Sequence, residues 1–408
     1  MRSLLCFGLA CALGYCQDWP AFRGPSGQGL STETSLPSEW GEGRNVIWKV
    51  PVAGRGWSSP AIAGDLVWLT TAVEPEGAAG SPARSLRLLA FDKETGAAVR
   101  DIEVFRHDDA GQQHAKNSFA SPTPVVEGDR VYVHFGRLGT AAVTTAGEVL
   151  WKRSLPYAYA HGTGGSPVLH KHLLILTCDG TDVQYVVALN KDTGEVEWKV
   201  HRQRPSAMAF STPLVIEVNG AAQLITTSGH RAVSYEAETG RELWQVTYGD
   251  GFSNVPRPVF AHGLVYLCTG FYRPELLAVR PDGAGDVTAT HVVWRYGRSV
   301  PLTPSPIVVG DLLYMVSDNG ILTCLDARTG SLRFQQRIGG NYSASPVYAA
   351  GRIYFQSEEG ETTVITAEGQ FRQAGSAKVD AQTLASPAPS AGSIFLRSAT
   401  HLYRIGVR

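Results

Sequence analysis

Apolar and polar positions alternate along most of the chain in short runs, each closed by Gly, Asp, Asn or Pro. Gly64-Asp65-Leu66-Val67-Trp68-Leu69, Gly128-Asp129-Arg130-Val131-Tyr132-Val133 and Gly310-Asp311-Leu312-Leu313-Tyr314-Met315 share one form, a tight turn feeding a β-branched and aromatic strand. Glycine there supplies the positive φ that a short hairpin turn needs. No long amphipathic helical pattern follows the N-terminus, so the pattern predicts an all-β protein.

The runs repeat. A proline precedes an apolar strand at Pro60, Pro122, Pro167, Pro213, Pro258, Pro306, Pro346 and Pro387, usually after Ser or Thr. The steps between them lie between 40 and 48 residues, except the first, of 62. That period fits four short strands and their turns, the unit of a propeller blade. Within each unit a third strand runs into a Thr-Gly turn, as at Thr95-Gly96, Thr193-Gly194 and Thr329-Gly330. A Trp follows four residues after the turn glycine, from Gly147 to Trp151, Gly194 to Trp198 and Gly240 to Trp244; Phe334 takes the place in the sixth unit. The eighth unit stops short of its outer strand, while Val46-Ile47-Trp48-Lys49-Val50 looks like an outer strand without a blade. The expectation is an eight-bladed β-propeller of four-stranded antiparallel blades over residues 45–408, its ring closed when the N-terminal strand completes the last blade.

Arg2 and the apolar run Leu4–Leu13 read as a secretory signal, too short to span a bilayer. The expected division is a signal peptide over 1–16 and an N-terminal extension over 17–44, with export to the periplasm or envelope. Cleavage after Cys16 and lipid attachment through Cys16 are both open. Three further cysteines, Cys178, Cys268 and Cys324, lie in strand-like runs and read as buried thiols. With 36 basic against 37 acidic residues, the net charge of -1 gives no field drawing the chain to nucleic acid, and a monomer without a transmembrane segment is expected.

Strand alternation sorts the loops onto two faces. The Gly-Asp and Thr-Gly turns share one; the irregular, polar loops share the other, where propellers usually bind. The candidate binding face comprises Asn117, His161, Asp179, Asp182, Gln184, Asn254, Arg257, Tyr272, Glu275, Asp318, Asn319 and Tyr342, with Arg55, Trp57, His114, Arg204, Arg273, Arg298, Glu358 and Glu359 around them. Arg257 replaces the small residue found before the other prolines; it reads either as a cation aimed at the channel or as half of a buried pair with a carboxylate. Asp179-Gly180-Thr181-Asp182 reads as an Asp-Gly turn, lacking the remaining ligands of a calcium loop. No catalytic or metal motif appears.

The pattern Ala-x-Asp-x-x-Thr-Gly-x-x-x-Trp with Ser-Pro strands resembles the pyrrolo-quinoline-quinone (PQQ) repeat, quinoprotein alcohol dehydrogenase-like propellers, over essentially the whole chain beyond the leader. Asp18-Trp19-Pro20-Ala21-Phe22-Arg23-Gly24-Pro25 resembles the N-terminal signature of exported members of that group. The resemblance implies that Trp151, Trp198, Trp244 and Trp294 dock on neighbouring blades. It also implies two functional classes: a non-catalytic scaffold, as in the BamB propeller, or a PQQ-dependent dehydrogenase of alcohols or sugars. The dehydrogenases carry an adjacent cysteine pair above the quinone and hold calcium through Glu, Asn and Asp. This chain has no such pair, so neither PQQ nor calcium is expected. The expected function is a non-catalytic module that binds an envelope protein or a polar small ligand.

Overall fold

The computed structural model describes residues 18–407 apart from 76, 78, 79, 160, 203–207 and 250. The leader with Cys16, and Arg204, lie outside the described residues. Eight antiparallel sheets form the ring. Blade one is Ala61–Ala63, Leu66–Val73, Arg84–Asp92 and Ala98–His107. Blades two to seven follow in chain order, their innermost strands being Val125–Glu127, Val168–His170, Leu214–Val218, Val259–Ala261, Ile307–Val309 and Val347–Ala349. Blade eight is Ala388–Ser390, Ser393–Arg397 and His401–Gly406, completed by Val46–Pro51, which pairs from Val46 opposite Ile405 to Pro51 opposite His401. The ring is closed as the pattern predicted, and Val46–Pro51 covers the edge that His401–Gly406 would otherwise leave open.

Blade two corrects the repeat register. Its inner strand follows Pro124, not Pro122. Ser121-Pro122-Thr123-Pro124 offers two similar dipeptides, and only the second places a hydroxyl, that of Thr123, at the hub.

Blades interlock through the Thr-Gly-Trp grammar. The indole N–H of Trp151 donates to Lys191 O at 3.0 Å, that of Trp198 to Ala237 O at 3.2 Å, and that of Trp294 to Ala327 O at 3.1 Å, each on the following blade. The turn glycine of that blade lies flat on the ring: a Cβ on Gly194 would sit 2.6 Å from Trp151, and one on Gly240 2.6 Å from Trp198. Trp48 does the same from blade eight to blade one. Trp244 departs from the rule. Its N–H turns back to Gln223 Oε1 in its own blade at 3.0 Å, although its ring packs into the apolar cluster shared with blade five. Blade five has no Thr-Gly turn, and its longer linker lays Gly285–Asp286 parallel to Trp244 and Gln245 instead.

Residues 18–44 are structural. Trp19 pairs with Ile62 of blade one, Pro20 O accepts Val126 N of blade two, and Gly29 O accepts Tyr348 N of blade seven. Leu36 and Trp40 join the core of the closing blades. The segment thus lies across the hub on the short-turn side.

Candidate functional site

The hub is a relay of hydroxyls. Seven backbone N–H groups each donate to a side-chain oxygen of the next blade: Arg257 to Ser305, Ser305 to Ser345, Ser345 to Ser386, Ser386 to Ser59, Ser59 to Thr123, Thr123 to Ser166, and Ser166 to Thr212. The Ser-Pro recurrence therefore has two causes. Proline sets the entry to the strand, and the hydroxyl satisfies a buried amide that would otherwise lack a partner. Arg257 occupies the eighth place and offers no hydroxyl.

Above this ring lies a pit of about 570 Å³. Its wall includes all seven ring hydroxyl residues; Phe22 of the crossing N-terminal segment forms part of its floor. Its mouth opens on the irregular loop face, through His114, Lys116, Asn117, His161, Phe252, Phe271 and Asp318. An aromatic arc surrounds that mouth. His161 stacks on Phe210 at 6.1 Å, meets Phe252 edge-on at 5.8 Å and His114 at 5.3 Å. Phe252 continues to Tyr272 at 5.9 Å and Tyr272 to Phe271 at 5.7 Å. Phe271 and Tyr272 are 55% and 65% exposed, which is high for apolar rings on a folded surface. Burial, then the neighbouring His114, pulls the His161 imidazole below its ordinary value. Across the mouth Lys116 pairs with Glu358 at 2.8 Å. Asp318 accepts Leu302 N at 2.7 Å, and burial, the larger influence, raises its carboxyl.

Of the twelve residues expected on the binding face, the structure brings Asn117, His161 and Asp318 onto the pit lining and Tyr272 to its rim. Asn117 is occupied in holding the loop: its amide donates to His161 O at 2.7 Å and Thr163 O at 3.1 Å, and its oxygen accepts Ser121 Oγ at 2.6 Å. The others lie elsewhere. Asp179 is buried against Arg202, with both carboxylate oxygens within 2.8 Å of Nη1. Burial pushes its carboxyl up to about 6 against the pull of Arg202. Asp182 closes its own turn by accepting Ala158 N and Val183 N. Gln184 and Tyr342 are buried in the blades, and Asn254 is buried with its amide on Cys268 O. Glu275 pairs with Arg295, and Asn319 accepts Ser317 Oγ within its turn. Arg257 is buried as one reading required, but its partners are the carbonyls of Pro213 and Phe22, not a carboxylate. The sequence pattern did not single out Phe22, Phe210, Phe252, Phe271, Lys116 or the hub hydroxyls; the hydroxyls alone had a signal, their recurrence before proline.

Fold and site together define an eight-bladed PQQ-repeat propeller with a one-ended central pit. The chain belongs to the family described as outer membrane protein assembly factor BamB, whose model matches residues 40–166, 160–287 and 283–373. Among solved structures, BamB from Moraxella catarrhalis is similar with a TM-score of 0.61 and 11% identity, over 88% of this chain and 99% of that one. Quinohemoprotein alcohol dehydrogenase from Comamonas testosteroni is similar with a TM-score of 0.70 and 10% identity, over 96% of this chain and 81% of that one. The computationally designed Ika8 protein shares the architecture with a TM-score of 0.55 and 12% identity, over 92% of this chain and 100% of that one. No curated protein matches the sequence.

The quinoprotein resemblance implies a quinone and calcium, and the residues of the pit do not fit that pair. Calcium takes six or more oxygen ligands, with carboxylates among them. Among the described residues the pit lining offers one carboxylate, Asp318, already engaged by backbone amides, and no three His, Cys, Asp or Glu converge. Cys178 and Cys268 are buried within separate blades, where burial raises both thiols, Cys178 to about 12.

Proposed function

We propose that this protein is an exported, non-catalytic binding module of the cell envelope, which takes one protruding group of a partner into the pit through the aromatic mouth. The observation that carries the reading is the combination of a blind pit with exposed Phe271 and Tyr272 at its rim. Exposed aromatic rings beside a concave site are the usual anchors of recognition, because they bury much surface for little lost side-chain freedom. Membership of a family named for outer-membrane assembly supports a partner that is itself an envelope protein. The leader-like N-terminus supports export, and no helix among the described residues is long and apolar enough to cross a membrane.

A photo-crosslinking residue in place of Phe271, in cells that express the full chain, is expected to trap a discrete envelope partner. The same residue in place of Leu332, on the outer strand of blade six, is expected to trap none. Equal labelling at both positions, or none at Phe271, rejects the reading. The likeness to an alcohol dehydrogenase over 96% of the chain favours a second reading, a PQQ-dependent oxidation of alcohols or sugars. Retention of quinone absorbance through gel filtration in calcium, with dye reduction by an alcohol or sugar, would establish it over the first.

A further inference from the structure

Beneath the pit the charges do not balance. Arg23 and Arg257 are 1% and 5% exposed, and neither has an acidic partner among the described residues. Arg23 donates through Nη2 to the carbonyls of Gln28 at 2.8 Å and Pro306 at 2.9 Å, while its Nε and Nη1 are buried without a partner among the described residues. Arg257 donates through Nε to Pro213 O at 3.1 Å and through Nη1 to Phe22 O at 2.8 Å. The N-terminal segment is glycine at the points of contact. A Cβ on Gly27 would fall 2.3 Å from Arg257 Nη1, and one on Gly29 would fall 2.8 Å from Arg23 Nη2. Burial holds both guanidinium groups down at about 9, and Arg23 also feels the Arg257 charge. Both therefore carry full charge at neutral pH. Arg397 is a third such cation, 1% exposed and bonded, among the described residues, to Ser58 and Thr70 O.

The hub ring adds a second, independent feature. Ser59, Thr123, Ser166, Thr212, Ser305 and Ser386 accept amides through their oxygens, yet no protein acceptor among the described residues takes their hydroxyl hydrogens. All six line the pit. Hydroxyl donors converge on one small volume over buried positive charge, while the single lining carboxylate among the described residues, Asp318, comes from a loop at the mouth. Such an arrangement stabilises negative charge, because fixed donors and uncompensated cations act through a medium with little water to screen them.

We infer that the floor of the pit is a receptor for one small anionic group, of carboxylate or sulfate size, held by the hub hydroxyls over the Arg23–Arg257 pair. The inference rests on the pit being the binding site and adds the chemistry of what enters it: a partner or ligand bearing an acidic terminus or side group, seated head-first with its apolar part against the aromatic mouth.

Acetate, sulfate and acetamide titrated into the purified protein at constant ionic strength test it, with the fluorescence of Trp57, which lines the pit, as readout. Acetate or sulfate is expected to bind saturably and acetamide not to bind. Arg257→Gln is expected to weaken the anion at least tenfold, and Arg257→Lys to retain most of the affinity. Equal response to acetamide, no saturable response to either anion, or unchanged affinity in Arg257→Gln overturns the inference. Bromide diffused into crystals of the unaltered protein gives an answer that does not depend on a variant's folding: an anomalous peak at the hub hydroxyls supports the site, and a pit floor without one refutes it. Anion binding in a protein that crosslinks no partner through Phe271 would uphold this inference while sinking the binding-module reading.

Discussion

Single residues in this protein hold ionisable groups in places where water cannot help them. His134 is fully buried, with Nδ1 on Thr140 Oγ1 at 2.8 Å, and burial holds its imidazole down at about 3. The ordinary value is about 6.5, so the unfolded chain takes up the proton first. The stability contributed by the neutral ring is complete above pH 6.5 and is lost as pH falls toward the folded value. Between pH 7 and pH 5 that loss is about 2 kcal/mol, from 1.36 kcal/mol per pH unit. Urea unfolding at both pH values is expected to show His134→Asn losing about that much less than the unaltered protein; equal losses would remove the argument. Asp179 makes a different case. A binding role read from the sequence predicts that its replacement leaves the melting temperature nearly unchanged. Its ion pair with Arg202, both side chains 2% exposed, reverses that expectation. Asp179→Ala leaves a buried guanidinium uncompensated and is expected to cost roughly 3–5 kcal/mol in denaturant unfolding. The sequence could not show this, because an aspartate before glycine looks the same whether its side chain faces solvent or an arginine twenty-odd residues on.

At the scale of the element, the repeat grammar was legible and its reason was not. Thr-Gly followed by Trp was visible at several turns; that each glycine is the seat for the preceding blade's indole is a contact between units, which no single unit displays. The seat can be tested by contrast. Gly240 and Gly64 both have positive φ, at 73° and 56°, but only Gly240 has Trp198 within 2.6 Å of where an added methyl would fall; nothing lies within 4 Å at Gly64. Alanine at Gly64 is expected to cost about 1 kcal/mol for the left-handed backbone alone. Alanine at Gly240 adds roughly 1–3 kcal/mol of overpacking. Trp198→Ala is expected to cost roughly 3–5 kcal/mol. Thermal unfolding of the three proteins checks the order, and equal costs at the two glycines would exclude the seat. Where the grammar failed, at Trp244, the sequence did carry a sign: the Pro281-Asp282-Gly283 linker in place of Thr-Gly.

The whole molecule depends on its first described residues more than a repeat pattern reveals. Periodicity gave the eight blades and the strand that closes them, because each blade resembles the others. The segment over residues 18–44 resembles nothing else in the chain, so its place across the hub was not legible, and neither was the blind end of the pit. The pit mouth was half legible. Loop sorting chose the face on which the pit opens, but pooled residues that reach the channel with residues that serve their own turns. A chain beginning at Val52 would lose both the outer strand of blade eight and Phe22. The exposed edge of His401–Gly406 is expected to drive self-association, measurable by light scattering. A monodisperse product with unchanged melting temperature would mean that closure contributes nothing.

The relay at the hub has a direction. Each amide is cared for by the blade that follows it, so harm done to one hydroxyl is felt by its predecessor. In Thr212→Ala the injured amide is that of Ser166, a whole blade upstream, and hydrogen exchange would be expected to quicken there before anywhere in the fourth blade. The circle closes in space, yet this thread of bonds starts at Arg257 and ends at Thr212. A wheel without ends in its outline has two in its wiring, and they meet where the arginine interrupts the row of alcohols.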